Sequence, residues 1–268
     1  MPALPIHALG ADASHLTYEL QRPEQPVPAD VCVLYCHGFA SSRHSHKAAV
    51  FAERLVAAGL AFCSFDFQGH GDSGGSITDM TVTRNLEDVD RMVGLLRAEG
   101  FERFIFFGSS MGGGVAAWYA ALHPEVAAAA IYIAPGFNLE GGVRRRLGED
   151  VFEQWSEAGR VWLHHELGSY ELDWRMIEDL RAYEIPRLTA LYGTPTLVFQ
   201  GKNDTDVDWR MVLDFAVENP AECVQLHLLA DGDHRLVERL PLMWRISRAF
   251  LMEQGLMGQG LMADDPQS

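Results

Sequence analysis

The segment FIFFGSSMGGGVAAWYA, residues 104–120, limits what this chain can fold into more than any other stretch. Apolar residues run into Gly108, two serines follow, and Met111 leads through three glycines into a helix-like run. The five residues that end at Gly112 satisfy the pattern G-x-S-x-G between a strand and a helix. So sharp a turn leaves no room for side chains two positions before and after its central residue, here Ser110, which explains the flanking glycines.

A strained strand-to-helix turn places a serine where it can react. The turn lifts the Ser110 hydroxyl clear of the backbone at the C-terminal edge of the sheet, and the Met111 N–H faces the same space as a potential oxyanion donor. Ser109 occupies the x position and is expected to point into the fold. In a chain with 25 glycines the pattern can arise by chance, but its flanking strand and helix favour a nucleophile elbow.

A serine hydroxyl is a poor nucleophile, so it needs a base, and that base needs a carboxylate to orient it. In a fold of this kind both partners follow later strands, in the order serine, acid, histidine. Asp204 comes shortly after the strand-like run PTLVFQG (195–201), and His234 comes shortly after VQLHLLA (224–230). We therefore predict that Asp204 is the acid and His234 the base.

Other residues compete for these roles. Asp206 and Asp208 share the loop of Asp204, which we prefer because it is the first acid after the strand. His227 lies within a strand-like run and is expected to pack there. The remaining histidines of interest are His37 in a turn, His164 and His165 in a long insertion, and the pair His44 and His46, which lacks an evident third metal ligand. We predict neither a metal nor a cofactor.

The turn His37-Gly38-Phe39 closes the first central strand. The corresponding loop supplies the second oxyanion donor in such sites, so the backbone N–H of Phe39 is our candidate beside that of Met111. His37 is expected to hold this loop by hydrogen bonds. The glycine-rich run 69–73 after the next strand is interpreted as a tight structural turn.

Strand-like and helix-like segments alternate along most of the chain. Alternation of this kind predicts βαβ units, a mostly parallel sheet and right-handed crossovers, in other words an α/β fold. LTYELQ (16–21) is expected to add an antiparallel edge strand. The predicted strands are 31–38, 60–67, 103–108, 126–134, 195–201 and 224–230, and the predicted helices are 45–58, 82–98, 111–122, 207–217 and 235–253.

The alternation stops between residues 138 and 191, where we recognise no strand. A gap of this length is too long for an ordinary loop, so we predict a helical cap insertion within a core of residues 1–137 and 192–254. Its tryptophans Trp155, Trp162 and Trp174 are candidates for substrate contacts or for packing the cap onto the sheet. Arg144, Arg145 and Arg146 fit either attraction of an acidic substrate or a solvated helix face. The tail 255–268 is expected to be flexible.

Composition excludes several classes of function. The net charge of −16 disfavours a nucleic-acid or anionic-membrane surface. We recognise neither a signal peptide nor an apolar run that could cross a membrane. The cysteines Cys32, Cys36, Cys63 and Cys223 fit no zinc pattern and are interpreted as free thiols, which predicts a cytoplasmic protein. The sequence is compatible with a homodimer.

Taken together the motifs resemble the α/β-hydrolase superfamily. They are HGF (37–39), FDFQGHGDSGG (65–75), GSSMGG (108–113), GKND (201–204) and GDH (232–234), in the order of that superfamily and over most of the chain. Bacterial feruloyl and cinnamoyl esterases share the first three. The mycophenolic acid acyl-glucuronide esterase group, which includes thioesterase-type depalmitoylating activity, shares the GSSMGG-like elbow and a DHR stretch.

This resemblance implies a serine hydrolase that cleaves small or medium acyl or aromatic carboxylic esters through an acyl-enzyme. Its triad would be Ser110, Asp204 and His234, with the Phe39 and Met111 N–H groups as oxyanion hole. Thioesters, amides and C–C bonds are alternative substrates for the same triad. A ligand-binding protein without catalysis is the alternative from another class.

Overall fold

The protein is described by a computed structural model over residues 6–10, 13–165 and 168–258, apart from the side chain of His165. Its strands are β1 (His7–Leu9), β2 (Leu16–Gln21), β3 (Val31–Cys36), β4 (Ala61–Phe65), β5 (Arg103–Ser109), β6 (Ala127–Ile133), β7 (Arg160–His165), β8 (Gly168–Asp173), β9 (Thr196–Gly201) and β10 (Val224–Leu229). Eight of them form one sheet in the order β1-β2-β4-β3-β5-β6-β9-β10. From β4 to β10 every neighbouring pair is parallel.

Helices cover both faces of this sheet. They are α1 (His46–Ala57), α2 (Val82–Ala98), α3 (Met111–Leu122), α4 (Leu139–Leu147), α5 (Glu149–Ala158), α6 (Arg175–Leu180), α7 (Ile185–Leu191), α8 (Trp209–Glu218) and α9 (Leu240–Glu253). Apolar residues of α1 and α9 form the core on one face, and those of α2, α3 and α8 form it on the other. The predicted α/β architecture is confirmed.

The central strands show why this sheet is buried on both sides. Every residue of β3 is buried, and alternate side chains enter opposite cores: Val31 and Val33 on one face, Cys32 and Leu34 on the other. A continuous apolar run is typical of a parallel strand between two helical layers. The carboxyl ends of β3, β5, β9 and β10 therefore lie along one edge, where loops carry the candidate site residues.

Two sequence-based expectations about strands need correction. The segment 16–21 is antiparallel to β4 as predicted, but it is not the edge strand, because β1 pairs along its other side. The insertion is not strand-free, because β7 and β8 form an antiparallel hairpin between its helices. That hairpin has a weak period-two pattern: Leu163 and Leu172 are buried, whereas Trp162 is exposed. The cap boundaries 138 and 191 stay a prediction.

The first residues of the C-terminal segment pack against the core. Leu256 and Met257 are buried against the core that α1 and α9 share, so the prediction of a flexible segment from residue 255 is wrong for these two residues. Residues 259–268 lie outside the described part of the chain. The four cysteines are free thiols. Among the described residues, no helix is both long and apolar enough to cross a bilayer.

Candidate active site

Ser110 lies at the turn between β5 and α3 with φ 53° and ψ −126°, a left-handed conformation that a serine rarely adopts. Its carbonyl accepts hydrogen bonds from the N–H groups of Gly113 (2.9 Å) and Gly136 (2.7 Å), which hold the turn. Side chains at the flanking glycines would collide with backbone: a Cβ at Gly108 with Gly113, and one at Gly112 with the carbonyl of Cys36. Tight packing is therefore the reason for the glycines.

The three predicted triad residues meet at the carboxyl edge of the sheet. His234 Nε2 lies 3.0 Å from the Ser110 hydroxyl oxygen, and His234 Nδ1 lies 2.8 Å from a carboxylate oxygen of Asp204. With the carboxylate accepting from Nδ1–H, Nε2 is left to accept the serine proton. The arrangement can therefore transfer a proton from the serine to the imidazole.

Asp204 is oriented by more than the histidine. One of its oxygens accepts the N–H groups of Asp206 (2.9 Å) and Val207 (2.8 Å), and the other accepts the side-chain amide of Gln200 (2.9 Å). Burial on its own raises the pKa of Asp204, but the hydrogen bond and charge of His234, together with these donors, outweigh it and keep the pKa below its usual value. The carboxylate is therefore ionised at neutral pH.

The competing acids and histidines have partners other than the Ser110 hydroxyl, although the Asp206 carboxylate lies within 4.8 Å of the ligand atoms of Asp204 and His234 and lines the cavity described below. Asp206 binds Arg146 (2.5 Å), and Asp208 caps α8 by accepting the Arg210 N–H (3.0 Å). Of the other histidines, His227 packs beside Phe199, His44 approaches Glu19 and His164 binds Ser169. Within the described residues, the one group with metal-ligand spacing is Asp204, Asp206 and His234, whose atoms are already engaged in the hydrogen bonds above.

The loop after β3 lies directly against the nucleophile. A Cβ on Gly38 would lie 3.2 Å from Cβ of Ser110. His37 accepts the Phe67 N–H at Nε2 (3.0 Å) and so donates from Nδ1 to the Gly38 carbonyl (2.8 Å). This neutral histidine fixes the loop that carries Phe39, whose N–H stays our oxyanion candidate.

The following loop supports the first. The Asp66 carboxylate accepts the Arg43 and Asp72 N–H groups at 2.6 and 3.0 Å, and it forms a buried ion pair with the Arg43 side chain. A Cβ at Gly71, where φ is +50°, would collide with this carboxylate. Residues 69–73 thus form the expected structural turn.

A cavity of about 390 Å³ lies beside Ser110 and His234. Apolar side chains on its lining include Met80, Leu139, Val143, Leu163, Leu172 and Met176, most of them from the insertion. Polar side chains on its lining include Tyr35, Ser45, Lys47, Ser109, Asn138, Arg146, Asp206 and Arg235. The cavity therefore offers both apolar and polar side chains to a bound molecule.

The cap tryptophans do not form the cavity. Trp155 is buried and packs edge-on against Trp174, with ring centroids 5.2 Å apart, and Trp162 is 57% exposed. None of the three is among the described residues that line the cavity. Of the two roles predicted for these tryptophans, the ring contact agrees with packing for Trp155 and Trp174, while aliphatic and methionine side chains line the cavity.

Two of the three arginines at 144–146 connect the insertion to the loop of Asp204. Arg144 pairs with Glu140 and lies over the ring of Phe152, 4.0 Å from its centroid. Arg145 donates to the Asp206 carbonyl (2.8 Å), and Arg146 binds the carboxylate of the same residue. All three arginines thus bind residues of the protein itself. The triplet is therefore neither a fully solvated helix face nor an open binding site for an anion.

Sequence reasoning misses two site residues. Gln200 lies inside β9 and gives no motif. Lys47 donates to the Ser109 hydroxyl (2.9 Å) and lines the cavity. A signal for Lys47 does exist: it is one of only two lysines, and it lies in the first turn of α1, where the helix dipole disfavours a cation.

The fold together with this geometry defines the α/β-hydrolase class. Within that class, residues 27–174 match the family described as "Serine aminopeptidase, S33" (Hydrolase_4), and the chain belongs to this family of hydrolases. The resemblance to the superfamily is thereby confirmed. The match includes Ser110 and ends before Asp204 and His234.

Relatives of known name include esterases, thioesterases and lipases. The chain is 26% identical over 210 residues to mouse "Palmitoyl-protein thioesterase ABHD10, mitochondrial", covering 77% of this chain and 70% of the relative. It is 31% identical over 137 residues to a monoacylglycerol lipase of Mycolicibacterium smegmatis, covering 50% and 47% of the two chains.

Solved structures show the same fold. Est1E of Butyrivibrio proteoclasticus with bound ferulic acid has a TM-score of 0.79 at 20% identity, covering 92% of this chain and 98% of that one. Mouse ABHD10 has a TM-score of 0.77 at 22% identity, covering 93% and 99%. At these identities the likeness concerns the fold alone.

Proposed function

We propose that this protein is a serine esterase that cleaves carboxylic esters through a covalent acyl-enzyme. The observation that carries the proposal is the continuous hydrogen-bonded chain from the Ser110 hydroxyl through the His234 imidazole to the Asp204 carboxylate. Each link has the length that proton transfer requires. The relatives named as esterases, thioesterases and lipases support the same class of reaction.

In the first half of the reaction, His234 Nε2 takes the proton of Ser110 as its oxygen attacks the ester carbonyl. The negative charge that develops on the carbonyl oxygen is held by the N–H groups of Phe39 and Met111; one such donor typically contributes about 10²–10³ in rate. Asp204 stabilises the imidazolium that forms. His234 then returns its proton to the leaving alcohol.

In the second half, water replaces the alcohol. His234 removes a proton from the water, the acyl-enzyme is hydrolysed and Ser110 regains its proton. Groups of the chain itself carry out each of these steps. The polarised backbone N–H at the start of α3 and the buried Asp204 carboxylate supply the required charge.

The cavity favours small or medium acyl groups. Its volume of about 390 Å³ is near the lower limit of ligand sites, which measure about 300–1,000 Å³. The side chains of Leu163, Leu172 and Met176 offer an apolar surface to an aliphatic or aromatic acyl chain. The feruloyl-esterase resemblance agrees with this proposal.

Thioester hydrolysis is the second candidate, and the observation in its favour is the similarity to the ABHD10 thioesterases over most of the chain. The same acyl-enzyme forms from either substrate. The cytoplasmic location stays a prediction, since these relatives are named as mitochondrial proteins.

Hydrolysis of p-nitrophenyl acetate, butyrate, octanoate and palmitate tests the proposal, alongside methyl ferulate and a butyryl thioester. We expect butyrate or octanoate to be preferred and Ser110→Ala to lose hydrolysis of every ester, because loss of a triad member leaves only about 10³–10⁴ over the reaction in water. Unchanged hydrolysis in a folded Ser110→Ala protein would refute the assignment. A larger kcat/KM for the thioester than for its oxygen ester would favour the second candidate.

A further inference from the structure

Helix α4 of the insertion binds the loop of Asp204 at one residue, Asp206. Arg145 donates to the backbone carbonyl of Asp206 at 2.8 Å, and Arg146 binds the carboxylate of the same residue at 2.5 Å. The helix backbone is also close to this point, because a Cβ on Gly142 would lie 3.1 Å from the Asp206 carbonyl oxygen. Both the main chain and the side chain of Asp206 are therefore held by α4.

Asp206 is in turn connected to the triad acid through the backbone. The N–H groups of Asp206 (2.9 Å) and Val207 (2.8 Å) donate to the oxygen of Asp204 that does not bind His234. The carbonyl that accepts Arg145 and the N–H of Val207 belong to the same peptide group. A cation at the oxygen of a peptide group strengthens its N–H as a donor, because hydrogen bonds in a chain polarise one another. Arg145 thus acts on Asp204 through a single peptide group.

The ion pair of Arg146 holds a second carboxylate that lies near the imidazole. One oxygen of Asp206 is within 4.8 Å of the ligand atoms of Asp204 and His234, so Asp206 is the nearest competitor for the role of the acid. The side chains of Arg146 and Asp206 are 32% and 35% exposed, and ion pairs with this exposure contribute little to stability. We therefore expect the pair to affect the site more than the fold.

We infer that Arg145 and Arg146 are positioning residues for the triad acid: through Asp206 they fix the loop in which Asp204 binds His234. This inference rests on the proposed esterase function and extends its machinery from the core to the insertion. The imidazole must keep one orientation while it takes and returns a proton. Displacement of the loop of Asp204 therefore lowers kcat, although neither arginine has to contact the substrate.

Arg145→Met is the most informative change, because Arg145 is not among the described residues that line the cavity, whereas Arg146 is. We expect kcat for p-nitrophenyl butyrate to fall about tenfold, which is the contribution of one hydrogen bond from a charged group. KM and the ratio of octanoate to butyrate hydrolysis should stay within about twofold, since binding of the substrate is unchanged. Arg145→Lys keeps a cationic donor and should recover part of the loss.

Arg144→Met is the matched control on the same helix. Arg144 pairs with Glu140 and Glu149 and lies over the ring of Phe152, all of them residues of the insertion. Its loss weakens α4 but removes neither of the two arginine contacts to Asp206 described above. Arg144→Met should therefore keep the wild-type kcat. Urea unfolding measures the stability of each variant, so that loss of folded protein is not mistaken for loss of activity.

A double-mutant cycle with Asp204→Asn tests the route of the effect. In the Asp204→Asn protein, Arg145→Met should cost nothing further, because the carboxylate that Arg145 positions is already gone. Single-turnover hydrolysis of p-nitrophenyl butyrate measures the slow residual rates. Equal factors in the wild-type and Asp204→Asn backgrounds would show that Arg145 does not act through the acid and would overturn the inference.

Two other results would contradict the positioning role. A changed KM or acyl-length preference at constant kcat in Arg145→Met would make Arg145 a substrate contact. An equal loss of kcat in Arg144→Met would reduce all three arginines to supports of the helix. Failure of the esterase proposal has a different signature: wild-type protein would hydrolyse no ester and a fluorophosphonate would not label Ser110, and the positioning role would fall with it.

Discussion

At the scale of single residues, the orientation of His234 depends on Asp204. The Asp204 side chain is fully buried, and all of the acceptor positions named above are used by fixed donors. A carboxylate held in this way can keep the imidazole in one tautomer and one orientation. An amide of the same shape cannot, because its NH₂ group is not an acceptor for Nδ1–H.

Asp204→Asn and Asp208→Asn form a matched pair. We expect Asp204→Asn to reduce kcat for p-nitrophenyl butyrate by about 10⁴, because the wrong histidine tautomer is then favoured. Asp208→Asn should retain activity, since asparagine also caps a helix and Asp208 caps α8. Steady-state kinetics of the two variants measure the difference. Equal activities would assign the acid role to another residue.

The triad can be predicted because each of its members follows a recognisable strand. Ser110 is marked by its glycines, and Asp204 and His234 each follow a strand-like run by a few residues. Lys47 cannot be predicted in the same way. Its contact with Ser109 joins residues 62 positions apart. Only the packing of α1 against the sheet brings these two residues together.

At the scale of elements, the elbow depends on close contact between α3 and the strands beside it. Gly112 is in the first turn of α3, and the space that its Cβ would need is occupied by the carbonyls of Cys36 and His37. The helix therefore approaches the end of β3 as closely as backbone allows. This approach places the Met111 N–H beside the loop of Phe39.

Gly112→Ala and Gly94→Ala test whether this contact is specific. Gly112→Ala should destabilise the protein by about 1–3 kcal/mol or more, because the backbone must shift to accept a methyl group. Gly94 lies inside α2, and a methyl group there would meet nothing within 4 Å, so Gly94→Ala should stabilise by about 1 kcal/mol. Urea unfolding measures both. A Gly112→Ala protein as stable as wild type would show that the elbow is not tightly packed.

The strands and helices of the core can be predicted from the periodicity of their apolar residues. The hairpin of β7 and β8 is harder to distinguish from a helical segment by the same signal. β3 and β5 are apolar runs that each lead into a glycine-containing turn, a strong signal. Among the described side chains, β7 and β8 have one buried residue each, Leu163 and Leu172, since one face of the hairpin is exposed. The alternation of Val161, Trp162 and Leu163 is therefore too short to stand out from a helical pattern.

At the scale of the whole molecule, two buried histidines connect the loop that carries Phe39 to the turn of residues 69–73. The rings of His37 and His70 lie 5.1 Å apart, and both are buried. Burial lowers the pKa of His37 to about 4. Burial and the neighbouring His37 lower the pKa of His70 to about 3. Both are therefore neutral in the folded protein.

Stability should consequently depend on pH. An unfolded chain protonates both histidines below about pH 6.5, whereas the folded protein does not until about pH 4 or 3. The unfolded state thus binds more protons in this window, so the free energy of unfolding falls as the pH decreases from 6.5 towards 4. Above pH 6.5 these two residues contribute no slope.

His70→Leu isolates one of these protons. Urea unfolding at several pH values should give a shallower slope for His70→Leu than for wild type, by up to about 1.4 kcal/mol per pH unit. Val217→Ala, which changes an exposed side chain of α8 that does not titrate, should keep the wild-type slope. Identical slopes in His70→Leu and wild type would mean that His70 is protonated in the folded protein.

The most direct test of the account is the identity of the residue that reacts with a fluorophosphonate. Phosphonylation requires a serine whose proton is removed by a neighbouring base, so the probe reads the arrangement of Ser110, His234 and Asp204 in one step. Peptide mapping by mass spectrometry should find a single adduct on Ser110, slowed strongly in His234→Ala. An adduct on Ser109, or none on folded wild-type protein, would contradict the account.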